Sequence, residues 1–260
     1  MSTTLTAVLP GRFVWHELMT SDPGAAKAFY TAVVGWGTQP WAQDGSYTVW
    51  TNGEAPVGGL MALPDEVKAM GVPPNWLTYI SVPDTDAYAK RVEELGGKTL
   101  KPPTSLPNVG RFAVVADPQG AAFALYTSET PSLPDAAPTT GEFSWHELAT
   151  TDYEAAFKFY STLFGWVNTE TMDMGPGGKY LMYGFTKELP LGGIYNKDAK
   201  VPVPNWLPYA LVPDADAAAA TAEKLGGKVI VPPMEVPGGD RIAVVLDPQG
   251  AAFAVHSKKK

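Results

Sequence analysis

The stretch WHELMTSDPGAAKAFYTAVVGW, at residues 15–36, returns as WHELATTDYEAAFKFYSTLFGW at residues 145–166. The two stretches are identical at 12 of 22 positions and lie 130 residues apart. The same offset relates the two DPQGAAFA segments, which begin at Asp117 and Asp247. A repeat of this length is a whole domain and not a solenoid unit, so the chain contains two copies of one domain.

A polar, proline-rich segment, TSETPSLPDAAPTT at residues 127–140, separates the two copies. Its composition is typical of a linker between domains. We therefore predict a first domain at residues 8–128, a linker at residues 129–140 and a second domain at residues 141–257.

The first half of each copy has the pattern of a strand, a helix and further strands. In the first copy, residues 13–20 alternate in apolar character, which predicts a strand. Asp22 followed by Pro23 indicates a helix start, and Gly35 indicates the end of that helix. Segments typical of strands follow.

The second half of the copy repeats this order. Residues 77–82 predict a strand, Asp84 begins a helix that ends at Leu95, and the last two strand segments are joined by a DPQG turn. Each copy thus holds two β-α-β-β-β units, and the chain holds four. We predict an α+β fold in which each domain is a curled mixed sheet with its helices outside.

Composition narrows the classes of function. The chain of 260 residues has a formal charge of −8 and no basic stripe, which argues against a nucleic-acid partner. It has no cysteine, which excludes disulfides, thiolate catalysis and cysteine-bound zinc. No apolar run approaches the roughly 20 residues that span a bilayer, and the N-terminus lacks a signal-peptide pattern. We expect a cytoplasmic monomer or homodimer without a membrane partner, binding a small molecule.

The ordered recurrence of these units resembles the vicinal oxygen chelate superfamily, which includes glyoxalase I, bleomycin-resistance proteins and extradiol dioxygenases. The resemblance covers nearly the whole chain and is carried by ELMTSDPGAAKAFY…GW, its copy ELATTDYEAAFKFY…GW, and the unit endings GRFAVVADPQGAAFALY and DRIAVVLDPQGAAFAVH. It implies tandem glyoxalase-like domains, each a cup-shaped sheet with the active site inside. It also implies a divalent metal, held by His or Gln on the first strand of a unit and by Glu on the last strand.

The residues at the implied ligand positions depart from that pattern. Ala124 and Ala254 stand where the glutamate is expected. The first-strand positions hold apolar side chains, namely Trp15, Leu77, Trp145 and Leu207. We therefore predict no cofactor, and the fallback is a divalent metal bound through His16 and His146.

Strand alternation places Trp15 and Glu17 on one face and His16 and Leu18 on the other. We interpret His16 and its copy His146 as packing or hydrogen-bonding residues. A one-residue bulge would swap the faces and leave metal ligation or direct substrate contact as alternatives.

The same register predicts an aromatic lining for the cup in each domain. The predicted substrate-binding residues of this lining are Trp15, Tyr79, Tyr126, Trp145, Tyr209 and His256. Aromatic walls above small alanines suit a planar or apolar ligand.

Charged residues near this lining have two interpretations each. Glu17 and Glu147 are candidate catalytic bases, since a desolvated carboxylate has a raised pKa; alternatively they hydrogen-bond Tyr79 or Trp76 and order the sheet. Arg111 and Arg241 either meet an anionic ligand or pair with a nearby carboxylate. A loop found only in the second copy, MDMGPGG, offers Asp173 to a ligand as a lid, or is simply a longer hairpin.

Three functions fit these features. The first is a protein that binds a small, aromatic or apolar metabolite in a cup without a metal. The second is a metal-independent isomerase or lyase that uses Glu17 or Glu147 as general base. The third, a metal-dependent glyoxalase or dioxygenase, is disfavoured by the missing glutamates.

Overall fold

The computed structural model describes residues 10–41, 45–130 and 137–260 of the chain. The elements of the first copy are β1 Phe13–Thr20, α1 Pro23–Val34, β2 Gly37–Pro40, β3 Tyr47–Asn52, β4 Ala55–Ala62, α2 Asp65–Ala69, β5 Asn75–Ser81, α3 Thr85–Glu94, β6 Lys98–Leu106, β7 Gly110–Ala116 and β8 Ala122–Ser128. The elements of the second copy are β9 Phe143–Thr150, α4 Tyr153–Phe164, β10 Val167–Asp173, β11 Lys179–Thr186, β12 Leu189–Asn196, β13 Asn205–Leu211, α5 Ala215–Lys224, β14 Lys228–Glu235, β15 Arg241–Leu246 and β16 Ala252–Ser257.

The described strands form two eight-stranded mixed sheets, one from each copy. Their strand orders are β2-β3-β4-β1-β5-β8-β7-β6 and β10-β11-β12-β9-β13-β16-β15-β14. In each β-α-β-β-β unit of the first copy the first and last strands run parallel, as β1 with β4 and β5 with β8. The other strand pairs within such a unit are antiparallel. The predicted α+β fold with four β-α-β-β-β units is confirmed.

Local sequence sets the first strand and the first helix as expected. Strand β1 has the predicted bounds, Phe13–Thr20. The carboxylate of Asp22 accepts a hydrogen bond from the Ala25 amide at 3.0 Å, which caps the start of α1. Gly35 ends the helix with φ 92°, a left-handed conformation that glycine adopts without steric cost.

Two short elements of the first copy were not predicted. Strand β2 has the sequence GTQP, which carries no apolar alternation, and α2 is a single exposed turn and a half after Pro64. The predicted domain and linker boundaries extend over residues 8–9 and 131–136, which lie outside the described residues. Within the described part of the chain, no helix is both long enough and apolar enough to cross a membrane.

The compact units of the structure draw on both copies. One unit, here called the α1–α5 unit, comprises residues 15–41, 45–77, 137–145 and 207–260. The other, the α3–α4 unit, comprises residues 10–14, 78–130 and 146–206. Each unit has its own apolar core, and the helices that name it pack together there.

A buried hydrogen-bond chain joins the two copies within the α1–α5 unit. Trp76 Nε1 donates to Tyr30 Oη at 3.0 Å, and Tyr30 Oη donates to Asp247 Oδ2 at 3.1 Å. The other oxygen of Asp247 accepts the amides of Gln249 and Ala251, which closes the DPQG turn. The turn of the second copy is thereby tied to the first helix of the first copy.

The α3–α4 unit contains the reciprocal chain. Trp206 Nε1 donates to Tyr160 Oη at 3.1 Å, and Tyr160 Oη donates to Asp117 Oδ2 at 3.0 Å. Burial, followed by the negative charge of the paired carboxylate, raises the pKa of both Tyr30 and Tyr160 well above the ordinary value. Both phenols therefore remain protonated donors.

Candidate functional site

Three polar side chains of the α1–α5 unit form a continuous hydrogen-bonded line. Trp15 Nε1 donates to Tyr47 Oη at 3.0 Å, and Tyr47 Oη donates to Glu17 Oε2 at 2.9 Å. Trp15 and Glu17 thus share one face of β1, while Leu18 is fully buried in the helix-side core on the other face. We call this group, with Gly59 beneath it, the Glu17 site.

A glycine explains how the tyrosine reaches the glutamate. Tyr47 lies on β3 and Glu17 on β1, and β4 runs between these strands. Gly59 on β4 pairs with Glu17, and the neighbouring Met61 pairs with Tyr47. A Cβ atom at Gly59 would overlap the Tyr47 hydroxyl, so only glycine lets the phenol cross the strand.

The α3–α4 unit repeats this arrangement. Tyr180 Oη donates to Glu147 Oε2 at 2.9 Å, and Gly193, which pairs with Glu147, leaves room for the Tyr180 ring. A second tyrosine, Tyr195, pairs with Tyr180, and the two rings stack with centroids 6.0 Å apart. We call this group of Glu147, Tyr180, Gly193 and Tyr195 the Glu147 site.

The tyrosines beside these carboxylates are held in the protonated form. Burial and then the charge of Glu17 raise the pKa of Tyr47 far above its ordinary value, and the hydrogen bond from Trp15 opposes this only in part. Burial and the charge of Glu147 likewise raise the pKa of Tyr195. Each site therefore combines a carboxylate acceptor with phenol donors on a partly exposed aromatic surface.

The histidines of the repeated WHEL segment lie in packing positions. The His16 ring stacks on Phe143 with centroids 3.7 Å apart, and the His146 ring stacks on Phe13 at 3.6 Å. Burial lowers the pKa of His146 to about 3, against a smaller opposing effect of a hydrogen bond with the Leu191 backbone. His146 is therefore neutral at physiological pH, as the packing interpretation requires.

The residues at the metal positions that the family resemblance implies do not form a donor set. Ala124 and Ala254 are fully buried, and Leu207 packs against Ala254 and Tyr209. Across residues 10–41, 45–130 and 137–260, no group of three or more His, Cys, Asp or Glu side chains is placed to hold a metal ion. Glu17 and Glu147, the carboxylates of the two sites, accept hydrogen bonds from tyrosines.

The predicted aromatic lining residues lie on the strands as expected, but their contacts differ from one residue to the next. Tyr79 pairs with Ala124 and lies 6.0 Å from Phe112, measured between ring centroids. Tyr126 Oη donates to the Val109 carbonyl oxygen at 2.8 Å. Their binding roles stay predictions.

In the second copy, Trp145 packs against a small apolar cluster that includes Tyr209. His256 contacts Ser144 and Asp240 through its two ring nitrogens. Trp76, an alternative hydrogen-bond partner that the sequence offers for Glu17, donates its indole N–H to Tyr30 instead. These placements leave the aromatic residues next to Glu17 and Glu147 as the best-defined contact surfaces.

The predicted charged ligand contacts are engaged elsewhere. Arg111 donates two hydrogen bonds to Asp86 in the first turn of α3, and Arg241 donates two to Asp216 in the first turn of α5. The hydrogen bonds from Arg111 and Arg241 lower the pKa of Asp86 and Asp216 respectively. We therefore do not include either arginine in the two glutamate sites.

Asp173 accepts hydrogen bonds from within the loop that contains it. Its Oδ2 accepts a hydrogen bond from Lys179 Nζ at 2.7 Å, and its Oδ1 accepts the Gly175 amide at 2.9 Å. These bonds order the turn between β10 and β11, which contains a single 3-10 turn at Gly175–Gly177. The hairpin interpretation accounts for these contacts.

Sequence reasoning missed the tyrosines that contact the glutamates. Tyr47, Tyr180 and Tyr195 lie on strands whose alternation gives no sign of a contact with Glu17 or Glu147. The signal that identifies them is the Gly-Gly pair of β4 and of β12, because two glycines inside a strand indicate a close approach by another group.

Comparison with known families accounts for both copies. The model of the Glyoxalase/Bleomycin resistance protein/Dioxygenase superfamily matches residues 12–125 and 142–255. These two matches cover most of the chain and coincide with the two eight-stranded sheets.

Two full-length relatives resemble the chain at more than 30% identity. "Putative glyoxylase CFP32" of Mycobacterium tuberculosis is 35% identical over 252 residues, which cover 93% of this chain and 92% of that protein. "Anthracycline biosynthesis protein DnrV" of Streptomyces peucetius is 32% identical over 265 residues, which cover 96% and 94%.

Solved structures share the fold at lower identity. The Mn(II)-bound glyoxalase from Novosphingobium aromaticivorans is 18% identical with a TM-score of 0.65, over 98% of this chain and 83% of that chain. The 2,3-dioxygenase LapB from Pseudomonas sp. KL28 is 12% identical with a TM-score of 0.66, over 99% and 94%. The chain belongs to the glyoxalase/bleomycin resistance protein/dioxygenase superfamily, as a tandem member with both copies present.

Proposed function

We propose that the chain binds a small, planar aromatic or apolar metabolite at the Glu17 and Glu147 sites, without a metal ion. The observation that carries this proposal is the Trp15–Tyr47–Glu17 line, in which a carboxylate accepts a hydrogen bond from a phenol amid aromatic side chains. Glu17 is only 8% exposed, so little water competes for its carboxylate. A ligand hydroxyl that reaches this carboxylate would therefore find a strong hydrogen-bond acceptor.

The chemistry of the ligand follows from the surface it meets. Indole and phenol rings offer flat apolar faces on which an aromatic ring stacks. The carboxylate selects a ligand with a hydroxyl or N–H donor at its edge. The similarity to a relative named for anthracycline biosynthesis supports the same class, since anthracyclines are fused-ring molecules that carry phenolic hydroxyls.

A metal ion is not part of the proposed site because the side chains at the implied ligand positions are not metal donors. The family's implied ligand positions carry indole, isobutyl and methyl groups, none of which coordinates a divalent cation. Metal analysis of the purified protein tests this directly. A stoichiometric divalent metal, lost when His16 and His146 are both changed to Ala, would support the metal-dependent glyoxalase or dioxygenase alternative.

Binding is tested with a dihydroxyanthraquinone as probe, followed by quenching of tryptophan fluorescence. Changing Glu17 and Glu147 together to Gln removes a charge-assisted hydrogen bond at each site, so Kd should rise roughly 10- to 100-fold. Glu154→Gln on α4 is the matched control, because Glu154 is exposed and its carboxylate accepts a hydrogen bond from the neighbouring Tyr153. No binding by the wild type, or unchanged binding by the double variant, would contradict the proposal.

A second candidate is a metal-independent isomerase or lyase that uses Glu17 or Glu147 as general base. The Tyr47–Glu17 and Tyr180–Glu147 hydrogen bonds favour it, since a carboxylate paired with a protonated phenol offers both a base and an acid. The Gln variants distinguish the two functions. An enzyme would lose turnover and keep some binding, because Gln retains a hydrogen-bonding side chain but cannot take up a proton.

A further inference from the structure

Ser144, His256 and Asp240 form a hydrogen-bonded chain within the α1–α5 unit. Ser144 Oγ lies 2.8 Å from His256 Nδ1, and His256 Nε2 lies 2.9 Å from Asp240 Oδ2. Ser144 is on β9, His256 is on β16, and Asp240 directly precedes β15. The order of hydroxyl, imidazole and carboxylate is that of the serine nucleophiles found on several unrelated folds, here with the partners of the two ring nitrogens exchanged.

The partners of the imidazole determine its tautomer. An ionised carboxylate only accepts hydrogen bonds, so His256 Nε2 carries the hydrogen that faces Asp240. In the neutral ring, Nδ1 is then an acceptor for the Ser144 hydroxyl at 2.8 Å, as a general base must be; the other acceptor of that hydroxyl, the Tyr209 carbonyl oxygen, is farther away at 3.4 Å.

The carboxylate of Asp240 is itself held in the ionised form. Partial burial acts to raise the pKa of Asp240, but the hydrogen bond from the Lys259 amide and the contact with His256 outweigh it, and the pKa falls below its ordinary value. The orienting group therefore keeps its charge near neutral pH.

The first copy lacks all three residues. At the same offset of 130 residues it has Val14, Gly110 and Tyr126. Tyr126 is bonded to the carbonyl oxygen of Val109, so the first copy completes the same strand arrangement without a hydroxyl–imidazole–carboxylate chain. Because the repeat folds without them, the polar residues of the second copy are not a requirement of the fold.

The surroundings define the class of substrate. His256 pairs with Ile242 across the β15–β16 ladder, and Ala254 lies two residues earlier on the same face of β16. Ala254 belongs to an apolar cluster with Leu207 and Tyr209, against which Trp145 packs. The His256 side chain is 15% exposed, so it stays in reach of a bound molecule. An acyl group that is small and apolar or aromatic fits this surface.

We propose that Ser144 is a nucleophile for acyl transfer, with His256 as its general base and Asp240 as the residue that orients His256. Ser144 Oγ forms a bond to the carbonyl carbon of an ester of a small apolar acid, and its proton passes to His256 Nδ1. The bond from that carbon to the leaving oxygen breaks, and the alcohol departs with the proton from Nδ1. Water, deprotonated by the same nitrogen, then releases the acid and restores the serine. This activity does not depend on the ligand of the Glu17 and Glu147 sites.

The test uses the full-length protein with a fluorophosphonate probe, peptide mapping by mass spectrometry, and p-nitrophenyl butyrate as substrate. We expect one adduct on the peptide that contains Ser144 and release of p-nitrophenol. Both signals should disappear in Ser144→Ala and persist in Ser161→Ala, a control serine on α4 whose hydroxyl donates to the Lys158 carbonyl. His256→Phe should slow labelling by roughly 100-fold or more, and Asp240→Asn should slow it less.

Folding of each variant is checked by circular dichroism and by its Tm. Ser144→Val serves as a second variant, since valine is the residue that the first copy has at this position. A folded wild-type protein without an adduct on Ser144 would overturn the proposal. So would ester hydrolysis that continues unchanged in folded Ser144→Ala.

Discussion

The α1–α5 unit and the α3–α4 unit contain equivalent elements. Where one unit takes an element from the first copy, the other takes the equivalent element from the second copy. In the α1–α5 unit, Tyr30 of the first copy donates to Asp247 of the second copy. In the α3–α4 unit, Tyr160 of the second copy donates to Asp117 of the first copy. Sheets follow the sequence copies, whereas helix packing combines them. The buried hydrogen-bonded framework of one unit is therefore repeated in the other.

The surfaces of the framework differ more than its interior does. The Glu17 and Glu147 sites keep the tyrosine, glutamate and glycine, but Met61 in one corresponds to Tyr195 in the other. The Ser144 chain exists only in the second copy. Duplication has thus preserved packing while the partly exposed positions have changed.

Separating the copies gives the largest expected effect. A fragment of residues 1–130 keeps α1 but lacks α5, against which α1 packs in the α1–α5 unit. We expect it to show no cooperative unfolding as a monomer, because its apolar helix faces are left in water. Circular dichroism with urea and sedimentation would check this. A stable monomeric fragment would show that each copy folds alone and that α1 does not need α5.

Changing Tyr30 or Tyr160 to Phe has the next largest expected effect. Each change leaves a buried Asp oxygen and a Trp N–H without the phenol, so each should lower the free energy of unfolding by about 1–3 kcal/mol. Urea unfolding measures both, with Tyr153→Phe as control, because Tyr153 is a partly exposed tyrosine of α4 whose hydroxyl donates to the adjacent Glu154. Clearly unequal losses would mean that the two units are not equivalent.

Acidification tests His146, the buried histidine of the α3–α4 unit. Its folded pKa of about 3 lies below the ordinary value of 6.5, so the unfolded chain binds a proton that the folded chain does not. Stability should therefore fall as the pH is lowered from about 6.5 towards 3. His146→Gln should flatten this dependence, measured as Tm against pH. An unchanged slope would show that His146 does not carry the effect.

Exchange of Met61 and Tyr195, which differ between the two sites, gives the smallest expected effect. Met61→Tyr adds a phenol beside Tyr47, and Tyr195→Met removes one beside Tyr180. We expect affinity for the dihydroxyanthraquinone probe to change several-fold at the altered site, with little change in Tm. Equal affinities in the wild type and both variants would show that this position does not select the ligand.

Much of the fold was predictable because local signals were strong. The alternation of residues 13–20 and the cap formed by Asp22 gave the bounds of β1 and the start of α1. The crosswise packing was not predictable, since the two copies have nearly the same helix faces. Nothing in a repeated pattern specifies which copy of a helix covers which core.

The candidate site was predictable in part. Alternation alone places Trp15 and Glu17 on one face, and the structure has them there. Tyr47 was missed because its contact with Glu17 crosses a strand, and a strand-by-strand pattern contains no information about which strand lies between. The glycine at position 59 was the available sign of that crossing.

The Tyr30–Asp247 bond also constrains how the protein is made. The two residues are 217 positions apart, so at synthesis rates of about 5–20 residues per second the ribosome needs roughly 10–40 s to deliver the partner of the first helix. The partners Asp117 and Tyr160 are only 43 positions apart and can meet while translation continues. During translation the Tyr160–Asp117 bond can therefore form before the Tyr30–Asp247 bond, because α1 gains its partner only when the segment that contains Asp247 has been synthesised.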